Sequence, residues 1–343
     1  MSEFRASKIS QRKEFDCINE FDKNKSVLFY TINNRNRYKQ VRYVGALSYL
    51  MSYEYIRKSL DWAEKEMLPE IVESKGVFMT DSGAFSLLAN IDRSKSTDPK
   101  FWEPYIEEYI QFLYDNCHNI YCAANMDLDR IVGREAVDEW NERYFKPLEK
   151  YMQIVYVVHP NEKEDVMAFK RLKEYCNLHD YVGIASGINM NKSYPKIAQI
   201  SRSFNTRLHG FGYTVYNELM NRPMFSIDSS TWTMGSRFGE THIDDGANYR
   251  PFNRNYHHYR KKFKHKAADM GLDYSKISGR RNKDWDVNVM NLHGWLRFNQ
   301  KFTKISNRKL RNKPVMDYWK PRVSEHKPDF YVPIKERKKI KLE

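Results

Sequence analysis

Cysteine is scarce: the 343-residue chain has Cys17, Cys117, Cys122 and Cys176, and none after Cys176. No CxxC pair occurs, and no cysteine–histidine cluster has zinc-ligand spacing, so free thiols in a reducing compartment are the expectation. Long apolar runs are missing too; none approaches the roughly 18 residues that a membrane span needs. Met1–Glu20 is polar and mixed in charge, without the apolar centre of a signal peptide. The protein is therefore expected to stay in the cytoplasm of the cell that makes it. No internal repeat of the roughly 20–50-residue kind and no low-complexity tract is visible.

Acidic residues are scarce in one place only. Between Arg250 and Glu343 lie 26 of the 58 Lys+Arg but 9 of the 44 Asp+Glu, so this segment carries +17 and the remainder, with 32 basic and 35 acidic residues, carries −3. The segment interleaves its charge with aromatics and amides in Asn253–Lys264, then in Trp295, Arg297, Phe298 and Lys301. Basic side chains neutralise phosphates and flat rings stack on bases, so segregated charge of this size points to nucleic acid. The plain alternative is a solvated basic face.

A mainly disordered chain is excluded by a content of 41% hydrophobic and 15% aromatic residues, which suffices for a large core. Short β-rich runs occur at Val27–Thr31, Val41–Ala46, Val77–Thr80, Ile120–Ala124, Ile154–Val158, Tyr181–Ala185, Arg207–Phe211 and Met224–Ile227. Amphipathic patterns separate most of them, at Tyr55–Val72, Trp102–Tyr114, Glu135–Tyr151, Glu164–Tyr175 and Tyr194–Phe204. Apolar strands alternating with such helices imply a parallel sheet with helices outside. About eight units suggest a closed α/β (β/α)8 TIM-type barrel; a doubly wound open sheet is the rival. A barrel domain over residues 1–245 and a basic, aromatic-rich extension over 246–343 follow, the extension holding one amphipathic helix near Val287–Phe302.

In a barrel, reactive residues sit where strands end. Asp81 follows one run in Thr80-Asp81-Ser82-Gly83-Ala84-Phe85, and Asp228 another in Phe225-Ser226-Ile227-Asp228-Ser229-Ser230-Thr231-Trp232. Two carboxylates at one rim are the minimum for breaking a glycosidic bond: one attacks, the other moves protons. Asp81 reads equally as a helix cap over Phe85–Leu88. Asp127, in Ala124-Asn125-Met126-Asp127, can accept from the N1–H and exocyclic amine of a guanine-like base, or cap a turn or pair with Arg130. His159, before Pro160, reads as a turn residue or a catalytic one. The glycines of Val182-Gly183-Ile184-Ala185-Ser186-Gly187 let main-chain groups meet a planar ligand. His209-Gly210-Phe211-Gly212 can hold phosphate, and Arg237 can hold one bidentately.

These motifs together resemble the tRNA-guanine transglycosylase superfamily, and within it the DpdA-type transglycosylases that place 7-deazaguanine bases into DNA. The resemblance spans roughly Val27 to Gly239 and rests on TDSGAF, the strand ending in Asp127, VGIASG, HGFG and FSIDSSTW, in the family's order. It implies a TIM barrel and a double displacement that uses no cofactor and no metal. Asp228 would be the nucleophile and Asp81 the acid/base. Asp127, Ser82, His159, Gly183, Ile184, Ala185 and Gly187 would contact the incoming base, with His159 standing where the family has a glutamine. Gly210, Gly212, Arg237, Arg260, Lys261, Lys262 and Lys264 would meet the nucleic acid. The tRNA enzymes carry a three-cysteine, one-histidine zinc subdomain after the nucleophile strand; the absence of cysteine past Cys176 rules that site out. The implied partners are DNA, with its target guanine turned out of the stack, and a free 7-deazaguanine base. An RNA-acting relative, a barrel enzyme on a small molecule and a non-catalytic nucleic-acid-binding protein are the alternatives.

Overall fold

The short apolar runs become barrel strands in the computed structural model, which describes residues 27–88, 91, 96–159, 165–185, 190–213, 221–222, 224–233, 240–244, 249–252, 264–269, 271–273 and 284–310. The strands are β1 (Val27–Ile32), β2 (Ser48–Ser52), β3 (Val77–Asp81), β4 (Cys122–Ala124), β5 (Gln153–Val158), β6 (Tyr181–Ile184), β7 (Arg207–Gly210) and β8 (Ser226–Ser229). They close a barrel in the order β1-β2-β3-β4-β5-β6-β7-β8. The β1–β8, β3–β4, β4–β5, β5–β6 and β6–β7 ladders are parallel. A barrel strand is covered on both faces, by interior side chains and by helices, so its residues are apolar without alternation. Val27–Tyr30, Val77–Thr80 and Ile154–Val158 are accordingly buried throughout.

One strand lies elsewhere than its composition indicates. Val41–Ala46 reads as a strand, yet Arg35–Tyr43 is a helix and β2 begins at Ser48. Asn34 starts this helix, its side chain accepting the Arg37 N–H at 3.0 Å, a capping contact that outweighs the β-branched Val41. Ser48 can sit in β2 because its hydroxyl finds a partner. The Ser48 hydroxyl donates to the Leu28 carbonyl at 2.6 Å, and the Thr80 hydroxyl of β3 donates to the Met51 carbonyl at 2.9 Å.

The described residues fall into two compact units, one within Met1–Tyr49 and Phe211–Lys313, the other within Leu50–Gly210 and Pro314–Glu343. The first contains β1, β8, an antiparallel pair formed by β9 (Thr241–Asp244) and β10 (Tyr249–Phe252), and the helix Asp284–Leu310. That helix is core. Val287, Leu292, Trp295, Phe298 and Phe302 are buried, and Asn299 Oδ1 accepts the Leu28 N–H at 3.0 Å. Asn291 accepts the His242 N–H at 2.6 Å and donates to the Trp232 carbonyl at 3.1 Å. The reading of Trp295 and Phe298 as base-stacking rings is thereby corrected: their apolar faces are consumed by packing.

The second unit centres on aromatics of the helix Pro99–Asn116. Tyr53 packs against Tyr109 at 5.0 Å, Phe112 at 5.3 Å and Tyr105 at 5.7 Å between ring centroids, within the range where ring pairs attract. No helix among the described residues is long and apolar enough to cross a membrane. Cys117, Cys122 and Cys176 carry free thiols.

Candidate active site

Asp228 sits near the carboxyl end of β8, paired in register with Phe29 of β1. Only 8% of its surface is exposed. Two donors from its own unit fix the carboxylate. The Thr31 hydroxyl lies 3.1 Å from Oδ2, and the Gly212 N–H lies 2.7 Å from Oδ1. Gly212 has φ +61°, in the left-handed region that glycine enters without strain, and this turns its amide onto the aspartate. Gly210 is the last residue of β7 and is buried. Gly212, expected to meet phosphate, thus directs its N–H to a side chain. A carboxylate with two donors and little solvent has a fixed orientation, which a nucleophile requires.

In the second unit, Asp81 closes β3. Its Oδ1 accepts the Gly83 N–H at 2.9 Å, and Gly83 takes φ +73° to enter the short helix Ala84–Leu88. In place of the helix cap over Phe85–Leu88, Asp81 forms a turn with the Gly83 amide, one residue before the helix begins. A Cβ on Gly83 would come within 2.6 Å of both the Glu54 nitrogen and the Ser52 hydroxyl, so the turn admits no side chain. Ser82 is buried, and its carbonyl accepts the Tyr105 O–H at 2.6 Å. Phe85, three residues beyond Ser82, is 88% exposed.

Beyond β4 and β5 lies a string of polar groups. Ser82 Oγ donates to Asp127 Oδ1 at 3.3 Å. His159 Nε2 is 3.6 Å from Asp127 Oδ2, while His159 Nδ1 is 2.7 Å from Asp129 Oδ1. The Arg130 partner anticipated for Asp127 is replaced by His159. Burial pushes the Asp127 carboxyl above its ordinary value, and the distant His159 offsets this only in part. Burial also raises Asp129, but the hydrogen bond and charge of His159, with Arg171 and Arg130 behind them, outweigh it, and Asp129 is held low. The difference follows the distances, 2.7 Å against 3.6 Å. Among the described residues no group of three His, Cys, Asp or Glu side chains is arranged to hold a metal ion.

Asn125 braces this corner, its Oδ1 accepting the Val157 N–H and its Nδ2 donating to Asn141, both at 2.9 Å. Tyr109 donates to the Ala124 carbonyl at 3.0 Å. Gly183 and Ile184 lie inside β6 and are buried; the Ala185 N–H bonds the Val158 carbonyl at 3.0 Å. Lys264 is exposed at the start of the helix Lys264–Asp269. Gly187, Arg237, Arg260, Lys261 and Lys262 lie outside the described residues. Sequence reasoning did not single out Thr31, Tyr105 or Asp129. The signal for Asp129 was available in Asp127-Leu128-Asp129, whereas Thr31 and Tyr105 matter only through partners distant in the chain.

No family model matches this chain, and no curated protein matches it. Among solved structures, the HpcH/HpaI aldolase from Desulfitobacterium hafniense DCB-2 aligns with a TM-score of 0.34 and 11% identity, over 60% of this chain and 86% of that one. A protein from Aquifex aeolicus VF5 aligns with a TM-score of 0.35 and 13% identity, over 65% of this chain and 88% of that one. Neither likeness assigns a chemistry.

Proposed function

We propose that this chain is a base-exchange glycosyltransferase that replaces guanine in DNA with a 7-deazaguanine derivative such as 7-cyano-7-deazaguanine. The observation that carries the reading is Asp228: a nearly buried carboxylate at a barrel-strand end, oriented by the Gly212 N–H and the Thr31 hydroxyl. The resemblance of the strand-end motifs to guanine transglycosylases, and to their DNA-acting branch, adds to it.

The exchange is a double displacement. An Asp228 oxygen attacks C1′ of the target nucleotide as the C1′–N9 bond breaks, and guanine leaves with a proton from Asp81. The sugar is then held as an ester of Asp228. The incoming base gives its ring N–H proton back to Asp81 and attacks C1′, and the Asp228 carboxylate is released. One base enters, one leaves, and the backbone stays intact. Phe85 offers an exposed flat face on the short helix that follows Asp81, suited to a base turned out of the stack. The basic segment after Arg250 supplies the attraction for phosphates, with Lys264 among its exposed members.

The test is incubation with guanine-containing DNA, or in parallel RNA, and labelled 7-cyano-7-deazaguanine, followed by digestion to nucleosides. The expected result is label in deoxynucleosides, lost in Asp228→Ala and Asp81→Ala. Label confined to RNA would move the substrate to RNA, and no label in either would reject the reading. Neutralising Arg260, Lys261, Lys262 and Lys264 should weaken DNA binding and flatten its salt dependence.

A further inference from the structure

The proposed reaction leaves Asp129 without a role. Asp129 lies beside the base-contacting pair, 20% exposed, and its Oδ1 stands 2.7 Å from His159 Nδ1. Asp129 is held low and so is ionised at neutral pH, where it can only accept; at this contact Nδ1–H therefore donates to Asp129. Nε2 then faces Asp127 across 3.6 Å, too far for a hydrogen bond. A neutral ring held this way presents a bare Nε2, which accepts. A ring carrying both protons presents Nε2–H, which donates.

The base in the proposed exchange requires both kinds of partner. Its ring N–H and exocyclic amine need an acceptor, which Asp127 supplies. Its oxo group needs a donor, and a bare Nε2 cannot provide one. We infer that Asp129 is a positioning residue that stabilises the doubly protonated form of His159 in the base complex, so that Asp127 and His159 together select a 2-amino-6-oxo base and a ring that is neutral in the free protein takes up a proton on binding. This rests on the base-exchange reading and deepens it. Among the described residues, the groups facing the ring are Asp127 and Asp129; Arg130, Arg171 and Tyr175 act on it through Asp129. Ser82, on Asp127 Oδ1, does not titrate in the working range.

The test is the KM for free 7-cyano-7-deazaguanine in the exchange assay between pH 6 and pH 9, for the wild type, His159→Gln and Asp129→Asn. Where binding is linked to uptake of one proton, the wild-type KM rises with pH, towards about tenfold per unit at the alkaline end. His159→Gln, whose amide donates at any pH, is expected to keep exchange active with a KM flat within about twofold. In Asp129→Asn the rise is expected to begin at lower pH. If Asp129→Asn fails to fold, the contrast between wild type and His159→Gln decides. A wild-type KM independent of pH, or a His159→Gln profile that rises like the wild type, overturns the inference while the exchange reading stands. No exchange by the wild type overturns both.

Discussion

The Tyr105 O–H donates to the Ser82 carbonyl at 2.6 Å, so a helix fastens the loop that follows β3. One turn later Tyr109 holds the Ala124 carbonyl at the end of β4. Arg57, ion-paired to Glu108 at 2.9 Å, lies over the Tyr105 ring. Removing the donor strands a buried acceptor, which costs about 1–3 kcal/mol. Tyr105→Phe is expected to lower the urea midpoint accordingly and to reduce kcat of exchange, because Ser82 directly follows Asp81 at the end of β3. An unchanged midpoint would show that the carbonyl finds another partner.

Gly83→Ala combines a positive φ with a Cβ only 2.6 Å from backbone. Both penalties fall on one turn, and the left-handed strain alone is worth about 1–2 kcal/mol. The variant should be destabilised by at least that amount in denaturant unfolding. Gly133→Ala is the control: its φ is +89° but nothing lies within 4 Å, so it carries the strain without the clash.

Thr31→Val preserves shape while removing the hydroxyl on Asp228 Oδ2. The expected outcome is a fall of roughly tenfold in kcat from a less constrained nucleophile, with DNA affinity unchanged. Equal loss in kcat and in DNA affinity would place Thr31 in substrate binding instead.

Asp127 and Asp129 should respond oppositely to neutralisation. Asp129 is held below its ordinary value of 3.8, so the folded state favours its charge; that stability is present above 3.8 and lost as the pH falls below it. Asp127 is raised above 3.8, so its charge costs stability above that pH. At pH 7, Asp129→Asn should lower the denaturant midpoint and Asp127→Asn should raise it, while Asp127→Asn loses base selectivity. The contrast should shrink as the pH is lowered past 3.8. Midpoints moving together would mean the two carboxylates act as one unit.

The barrel was legible because its strands are buried on two faces and therefore spell continuous apolar runs, as in Val27–Tyr30 and Ile154–Val158. Ser48 and Ser52 hid β2, since nothing local announces that a hydroxyl will meet the Leu28 carbonyl twenty residues away. The Val287–Phe302 stripe was visible as a helix, but a rich supply of tryptophan and phenylalanine beside lysines reads alike for a core and for a stacking surface. Burial of Trp295 and Phe298 separates the two. Asp81, Asp127 and Asp228 were visible as strand-end carboxylates. The Thr31 and Gly212 donors on Asp228, and the grip of Asp129 on His159, depend on chain crossings that no local pattern encodes.

The central claim is that Asp228 becomes covalently joined to a sugar carbon. The direct measurement is denaturing electrophoresis, with mass spectrometry of the active-site peptide, after mixing the protein with a guanine-containing oligodeoxynucleotide in the absence of free base. The account predicts an adduct on the peptide containing Asp228 that disappears when 7-cyano-7-deazaguanine is added and never forms in Asp228→Ala. Base exchange by Asp228→Ala at the wild-type rate, or an adduct on another residue, would contradict it.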